Sequence, residues 1–214
     1  MIKAFLFDLD GTMLDTTDDL TVATNAVLNY YKRPSITRHT IEASIYKGTH
    51  AIIDAAFDSA LTKLDKKQLT QQIFQSYQIQ MGKNSAFFPG ILEFLDHLDR
   101  KQLPWGIVTN KPLWLAQPLL THHQIYQRCQ VLLGAESLPV KKPHPEPLLY
   151  AANQLGLPPQ QCAYIGDAPS DIIAANHANM TSVLAAFSHS HPNDQRILWG
   201  ADKIIYDAHQ LYMI

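Results

Sequence analysis

The chain has 214 residues, of which 46% are hydrophobic and 17% charged, enough to bury a substantial core in one good-sized domain or a domain carrying an insertion. A formal net charge of -2 leaves no basic field for nucleic acid or an anionic membrane surface. No apolar run approaches the roughly 20 residues of a membrane-spanning helix, and the opening MIKAFLFDLDG is too short and too soon acidic for a secretion signal.

The two cysteines, Cys129 and Cys162, each lie at or beside an apolar run. They read as reduced, buried thiols, so the expected location is cytoplasmic.

The first predicted element is a buried strand, Ala4–Phe7, which delivers Asp8 and Asp10 onto a turn at Gly11 and Thr12. Two acids held this close repel each other. A divalent cation would remove that penalty, and hard oxygen donors suit magnesium. Thr12 adds a hydroxyl and a backbone N–H.

From Asp15 to about Asn84 the pattern is helical throughout. TDDLTVATNAVLNYY places Leu20, Ala23, Val27 and Tyr31 on one face, and THAIIDAAFDSAL does the same with Ile52, Ile53, Ala56, Phe57 and Ala60. In DKKQLTQQIFQSYQIQM, Asp65 and Gln68 have capping-box spacing ahead of a stripe of Leu69, Ile73, Tyr77 and Met81. Such stripes predict a small helical bundle. Between the first two, SIYKGTHAII allows a tight turn at Gly48, with Thr49 placed to cap a helix beginning near His50.

Beyond this interval, strands alternate with helices. In PGILEFLDHLDRK, Pro89 can open a helix lined by Ile91, Leu92, Leu95 and Leu98. A strand over Trp105–Val108 ends in Thr109 and Asn110, where a hydroxyl and a backbone N–H can bind a phosphoryl oxygen. After a strand over Val131–Gly134 comes VKKPHPEP, in which Pro143 stiffens the loop that carries Lys142. HPEPLLYAANQLGL predicts a helix lined by Leu148, Leu149, Ala152 and Leu155 and stopped by Gly156. A strand over Cys162–Ile165 leads through Gly166 to Asp167, with Asp171 four residues on, and the last strand is Ser182–Ala186. SHSHPNDQR, 188–196, reads as a loop. The alternation predicts a five-stranded parallel sheet covered on both faces. Ligands of such sheets bind beyond the carboxyl ends of the strands, where strand order reverses.

Four stretches, DLDGTMLD (8–15), VTN (108–110), KKPHPEP (141–147) and GDAPSD (166–171), resemble in order the four motifs of the haloacid dehalogenase-like phosphohydrolases. The resemblance covers essentially the whole chain. FPGILEFLDHL, the KPHPEPLL stretch and the position of the helical insertion are most similar to the phosphoglycolate phosphatase-like group.

That resemblance implies a Rossmann-like core from residues 1–15 and 85–214 with a helical cap of the C1 type over 16–84. It implies a magnesium-dependent phosphatase acting on a small phosphorylated metabolite, as a monomer or small homo-oligomer with neither nucleic acid nor a membrane as partner. Asp8 would be the nucleophile that forms an aspartyl-phosphate. Asp10 would protonate the leaving alkoxide and then deprotonate the hydrolytic water. Magnesium would be held by Asp8, the backbone carbonyl of Asp10 and Asp167, with Lys142, Thr109 and Asn110 on the phosphoryl oxygens. Asp171 would orient the metal shell or Lys142, with Thr12 also behind the first ring of contacts.

In such relatives the loop at Tyr46, Lys47 and Thr49 faces the active site and usually carries a glycine-rich turn. The departure here makes these three the candidate specificity residues, with Lys47 meeting an anionic or polyhydroxyl part of the substrate.

Other activities stay open. WGAD, with the preceding HPND, resembles N-acetylmuramic acid 6-phosphate phosphatases, so this or another sugar phosphate is an alternative substrate. A sugar phosphate mutase would share both acids. A non-catalytic phosphate-binding module would be expected to have lost a catalytic acid, and none is lost. Haloacid dehalogenation needs neither the Asp10 shuttle nor a metal. Ten histidines are present, including His122–His123, and the pair His189 and His191 lacks the further ligands of a zinc site.

Overall fold

The computed structural model describes residues 1–57, 65–187 and 198–214. The expected 188–196 loop, its two histidines and Ala60 lie outside these. In chain order the elements are β1 (Ala4–Phe7), β2 (Leu14–Asp15), α1 (Thr17–Tyr30), α2 (Arg38–Ile45), α3 (Thr49–Phe57), α4 (Lys66–Gln80), β3 (Ala86–Phe87) and α5 (Ile91–Arg100). They continue with β4 (Trp105–Val108), α6 (Leu113–His122), β5 (Leu132–Leu133), α7 (Glu146–Gln154), β6 (Cys162–Gly166), α8 (Pro169–His177), β7 (Thr181–Ala185) and β8 (Lys203–Ile205). The chain divides into two compact units, Met1–Leu14 with Phe87–Ile214, and Asp15–Ala86. β2 and β3 pair as a separate two-stranded sheet where the chain leaves the first unit and returns.

The first unit is α/β. Its sheet has six strands in the order β5-β4-β1-β6-β7-β8, one more than the sequence predicts, and the pairings are parallel. The added strand is β8, a short edge strand whose Lys203 is exposed. β1 lies between β4 and β6, so strand order reverses at the residue that follows it. Its four residues are all buried because they face two layers. Ala4 and Leu6 join a core with Leu148, Ala152, Ala174 and Ala175 from α7 and α8. Phe5 and Phe7 meet Phe94 of α5 edge to face, with centroids 5.2 and 6.4 Å apart.

Some details differ from expectation. α5 starts one residue after Gly90, which takes φ +88° at its N-cap, and Pro89 precedes that cap. Phe94 takes the buried place expected of Leu92, which is 38% exposed. Val131–Gly134 is shorter as a strand, Leu132–Leu133, with Val131 buried beside it. Both cysteines are free, but only Cys162 is buried and Cys129 is half-buried. Among the described residues no helix is long and apolar enough to cross a membrane.

The second unit is made of helices α1–α4 around Val27, Leu28, Ile53, Phe57, Leu69 and Ile73. Asp65 caps α4 by accepting from the Lys67 N–H at 2.9 Å. Asp19 is fully buried in α1 and accepts from the N–H groups of Gly82 (2.8 Å) and Asn84 (2.9 Å) and from the Asn84 side chain (3.1 Å). It ties the start of the unit to the segment that follows α4. Asp19→Ala strands those donors and is expected to cost about 3 kcal/mol of stability, read as a lower urea midpoint. An unchanged midpoint would mean that water replaces the carboxylate.

Candidate active site

The candidate site lies in the first unit, where the C-terminal ends of three adjacent strands meet. Asp8 follows β1, Thr109 follows β4 and Asp167 follows β6. Register aligns them. The Asp8 N–H donates to Ile165 O at 2.8 Å, and Phe7 pairs with both Ile107 and Ile165. Gly11, with φ +80°, lets the first loop fold back against Asp167, because a Cβ there would collide with that carboxylate. Thr12 is fully buried and donates its hydroxyl to Asp167 Oδ1 at 2.9 Å.

Lys142 is brought from the loop after β5 into the centre, with its side chain only 1% exposed. Its Nζ reaches Tyr164 Oη at 2.6 Å, Asp171 Oδ1 at 2.7 Å and Asp8 Oδ1 at 3.1 Å. Asn110 donates its side-chain amide to Lys142 O at 2.9 Å, which fastens the Lys142 loop to the end of β4. The Thr109 hydroxyl hydrogen-bonds Asp8 and accepts from the Lys111 N–H at 3.2 Å.

Carboxyl oxygens of Asp8, Asp167 and Asp171 lie within 4.8 Å of one another. Burial, with help from the Asp171 charge and against the pull of Lys142, pushes the Asp8 carboxyl up to about 6. Burial also holds Asp167 well above the usual carboxylate range, reinforced by the charges of Asp171 and Asp8. Burial alone would lower Lys142, but the carboxylates of Asp171 and Asp8 outweigh it and raise it.

Asp8, Asp167 and Asp171 converge beside the Lys142 ammonium, and burial with mutual repulsion disfavours ionising all three carboxyls without a further cation. That hard, oxygen-only donor set fits a divalent cation such as magnesium. Among the described residues no histidine or cysteine joins it. Both oxygens of Asp171 are engaged, Oδ1 by Lys142 and Oδ2 by the Ala168 N–H at 3.0 Å.

The Asp10 side chain stands apart from the acidic cluster. Lys111 Nζ reaches its Oδ1 at 3.0 Å and its Oδ2 at 3.1 Å. Lys111 and Tyr164 are the residues that sequence reasoning missed. The available signals were a lysine directly after VTN and ahead of a proline, and a tyrosine three residues before Asp167 in a buried strand.

Tyr46, Lys47 and Thr49 belong to the second unit. Tyr46 follows α2, exposed Lys47 lies 5.2 Å from the Tyr46 ring centroid, and Thr49 is the first residue of α3 instead of its cap.

Comparison with known proteins places this geometry. Residues 5–185 match the family model described as haloacid dehalogenase-like hydrolase. The chain is 38% identical to a phosphoglycolate phosphatase of Xanthomonas campestris pv. campestris strain 8004, over 98% of this chain and 95% of that protein. It is 33% identical to an N-acetylmuramic acid 6-phosphate phosphatase of Pseudomonas aeruginosa PAO1, over 98% of this chain and 93% of the relative. A crystal structure of a predicted phosphoglycolate phosphatase from Haemophilus somnus 129pt superposes with a TM-score of 0.89 at 28% identity, covering 99% of this chain and 97% of that one. The chain belongs to the haloacid dehalogenase-like hydrolase family, in its phosphoglycolate phosphatase-like group, and is a phosphate-ester hydrolase.

Proposed function

We propose that the chain hydrolyses a small phosphate monoester by way of an aspartyl-phosphate on Asp8, with magnesium as its cofactor. The observation that carries this reading is the meeting of Asp8, Thr109, Lys142 and Asp167 at the ends of adjacent strands. Asp8, the backbone carbonyl of Asp10 and Asp167 are the proposed holders of magnesium, which when bound would neutralise charge between Asp8 and the phosphoryl oxygens.

In the first half of the reaction an Asp8 carboxylate oxygen bonds to phosphorus. The bond to the leaving alkoxide breaks, and the alkoxide takes a proton from Asp10. In the second half a water oxygen attacks the same phosphorus, its proton passes to Asp10, and the Asp8 carboxylate is released with inorganic phosphate. Lys142 and Thr109 hold the phosphoryl oxygens, with the Asn110 side chain keeping Lys142's loop beside them. Asp171 orients Lys142 through its 2.7 Å contact, and Thr12 orients Asp167.

Lys111 holds both oxygens of Asp10 and thereby sets where that acid points. Lys111→Ala is expected to lower kcat on alkyl phosphates roughly tenfold or more, as a misplaced general acid would. para-Nitrophenyl phosphate, whose leaving group needs little protonation, should lose less. Equal losses on both would assign Lys111 to the phosphoryl group.

The 38% identical relative makes phosphoglycolate the first substrate to try, and the 33% identical relative favours N-acetylmuramic acid 6-phosphate as a second. kcat/KM for both, beside sugar phosphates and nucleotides, tests the choice. Release of no phosphate from any ester, nor from para-nitrophenyl phosphate with magnesium, would refute the reading. Tyr46, Lys47 and Thr49 are proposed to influence substrate choice.

A further inference from the structure

Tyr164 lies in the middle of β6, fully buried, with its side chain in the apolar core beneath the site. That hydroxyl accepts from Lys142 Nζ at 2.6 Å and donates to Val108 O at 2.7 Å. Asp171 Oδ1 is more distant, at 3.4 Å, so the single phenolic proton belongs to the Val108 carbonyl. Because β1 lies between β4 and β6, this tyrosine reaches past the strand that bears Asp8 and ends beside the residue preceding Thr109.

An ammonium has three protons to donate. In Lys142 all three meet acceptors, at Tyr164, Asp171 and Asp8, and the Asp8 contact is the longest. The two shorter contacts act as a mount, and the third N–H is the one that can turn to a phosphoryl oxygen. Lysine has a flexible stem that does not position its own charge.

We infer that Tyr164 is a positioning residue for phosphoryl transfer: it holds the Lys142 ammonium at a set separation from Thr109 by joining Lys142 to the Val108 carbonyl. This deepens the proposed function and rests on Lys142 being a phosphoryl ligand. Loss of the hydroxyl leaves Lys142 with one mount, Asp171, and frees it to settle against Asp8, where it would shield the nucleophile and miss the phosphoryl group.

The test compares native protein with Tyr164→Phe and Lys142→Met. The measurements are steady-state kinetics on para-nitrophenyl phosphate, competitive inhibition by orthovanadate as a mimic of five-coordinate phosphorus, and the unfolding temperature. Tyr164→Phe is expected to lower kcat/KM roughly tenfold or more, the size of a lost hydrogen bond to a charged group, and to weaken orthovanadate by a similar factor. A tyrosine that only packs the core would lower the unfolding temperature and leave orthovanadate affinity unchanged, and that result overturns the inference. Native activity in Lys142→Met would instead refute the underlying reading of the site. If the Phe variant does not fold, site-specific 3-fluorotyrosine at 164 retains ring and hydroxyl but weakens the acceptor. A lower kcat/KM and weaker orthovanadate then support the inference, and native values for both overturn it.

Discussion

Asp8→Asn is expected to abolish phosphate release, by at least about a thousandfold, while the protein stays folded. Asparagine has the same shape and keeps an oxygen for the Leu9 N–H, which donates to Asp8 Oδ1 at 2.7 Å. It removes a charge that burial already disfavours, as the rise of the Asp8 carboxyl to about 6 shows. The unfolding temperature should therefore change little, since the retained oxygen is also the one that faces Lys142 Nζ, at 3.1 Å. The amide is no nucleophile toward phosphorus, so no covalent intermediate forms. Turnover near the native rate in a folded Asp8→Asn protein would contradict the mechanism at its first step.

Removal of divalent cations is the second large effect. EDTA is expected to eliminate activity and added magnesium to restore it. Calcium should restore little, because it takes more ligands at longer and less regular distances. Magnesium should also raise the unfolding temperature, since an ion bound only by the folded state stabilises it by mass action. The reason is local: Asp8, Asp167 and Asp171 crowd within 4.8 Å, and the Lys142 ammonium lies against two of them. Thermal stability indifferent to magnesium, with full activity in EDTA, would reject the assignment.

How much of this the sequence foretells depends on whether the determinants are local. β1, β4, β6 and β7 read clearly because strands buried on both faces are continuous apolar runs. β8 did not, since Lys203–Ile205 is a three-residue edge strand with its lysine exposed. α6 was missed because LWLAQPLLTH is apolar nearly all round and has Pro118 inside it, which blurs the helical period. α2 was missed because it is eight residues long and mostly polar.

The site divides in the same way. Asp8, Thr109, Lys142 and Asp167 come together because each sits at or just beyond a strand end in a recognisable motif. The pairing of Asp10 with Lys111 joins residues 101 apart in the chain, and a lysine on a loop reads as solvated until folding buries it to 9% exposure. Tyr164 looks like one more core aromatic in a strand. Its polar function appears only when Lys142, 22 residues earlier, folds onto its hydroxyl. Leu92 fits the helical period as well as its neighbours, and only the placement of Phe94 against Phe5 and Phe7 decides which side faces the sheet.

The central claim is that the phosphoryl group passes through Asp8, and capture of that intermediate tests it most directly. Asp10→Asn removes the proposed base for the second half-reaction, so an activated ester such as para-nitrophenyl phosphate should load the enzyme faster than water unloads it. Rapid acid quenching followed by peptide mass spectrometry is expected to find one added phosphoryl group on the peptide containing residues 3–15, sensitive to hydroxylamine as an acyl phosphate is, and absent when Asp8 is also replaced by Asn. A phosphoryl group found on a different residue, or the same signal persisting in the double variant, would contradict the account.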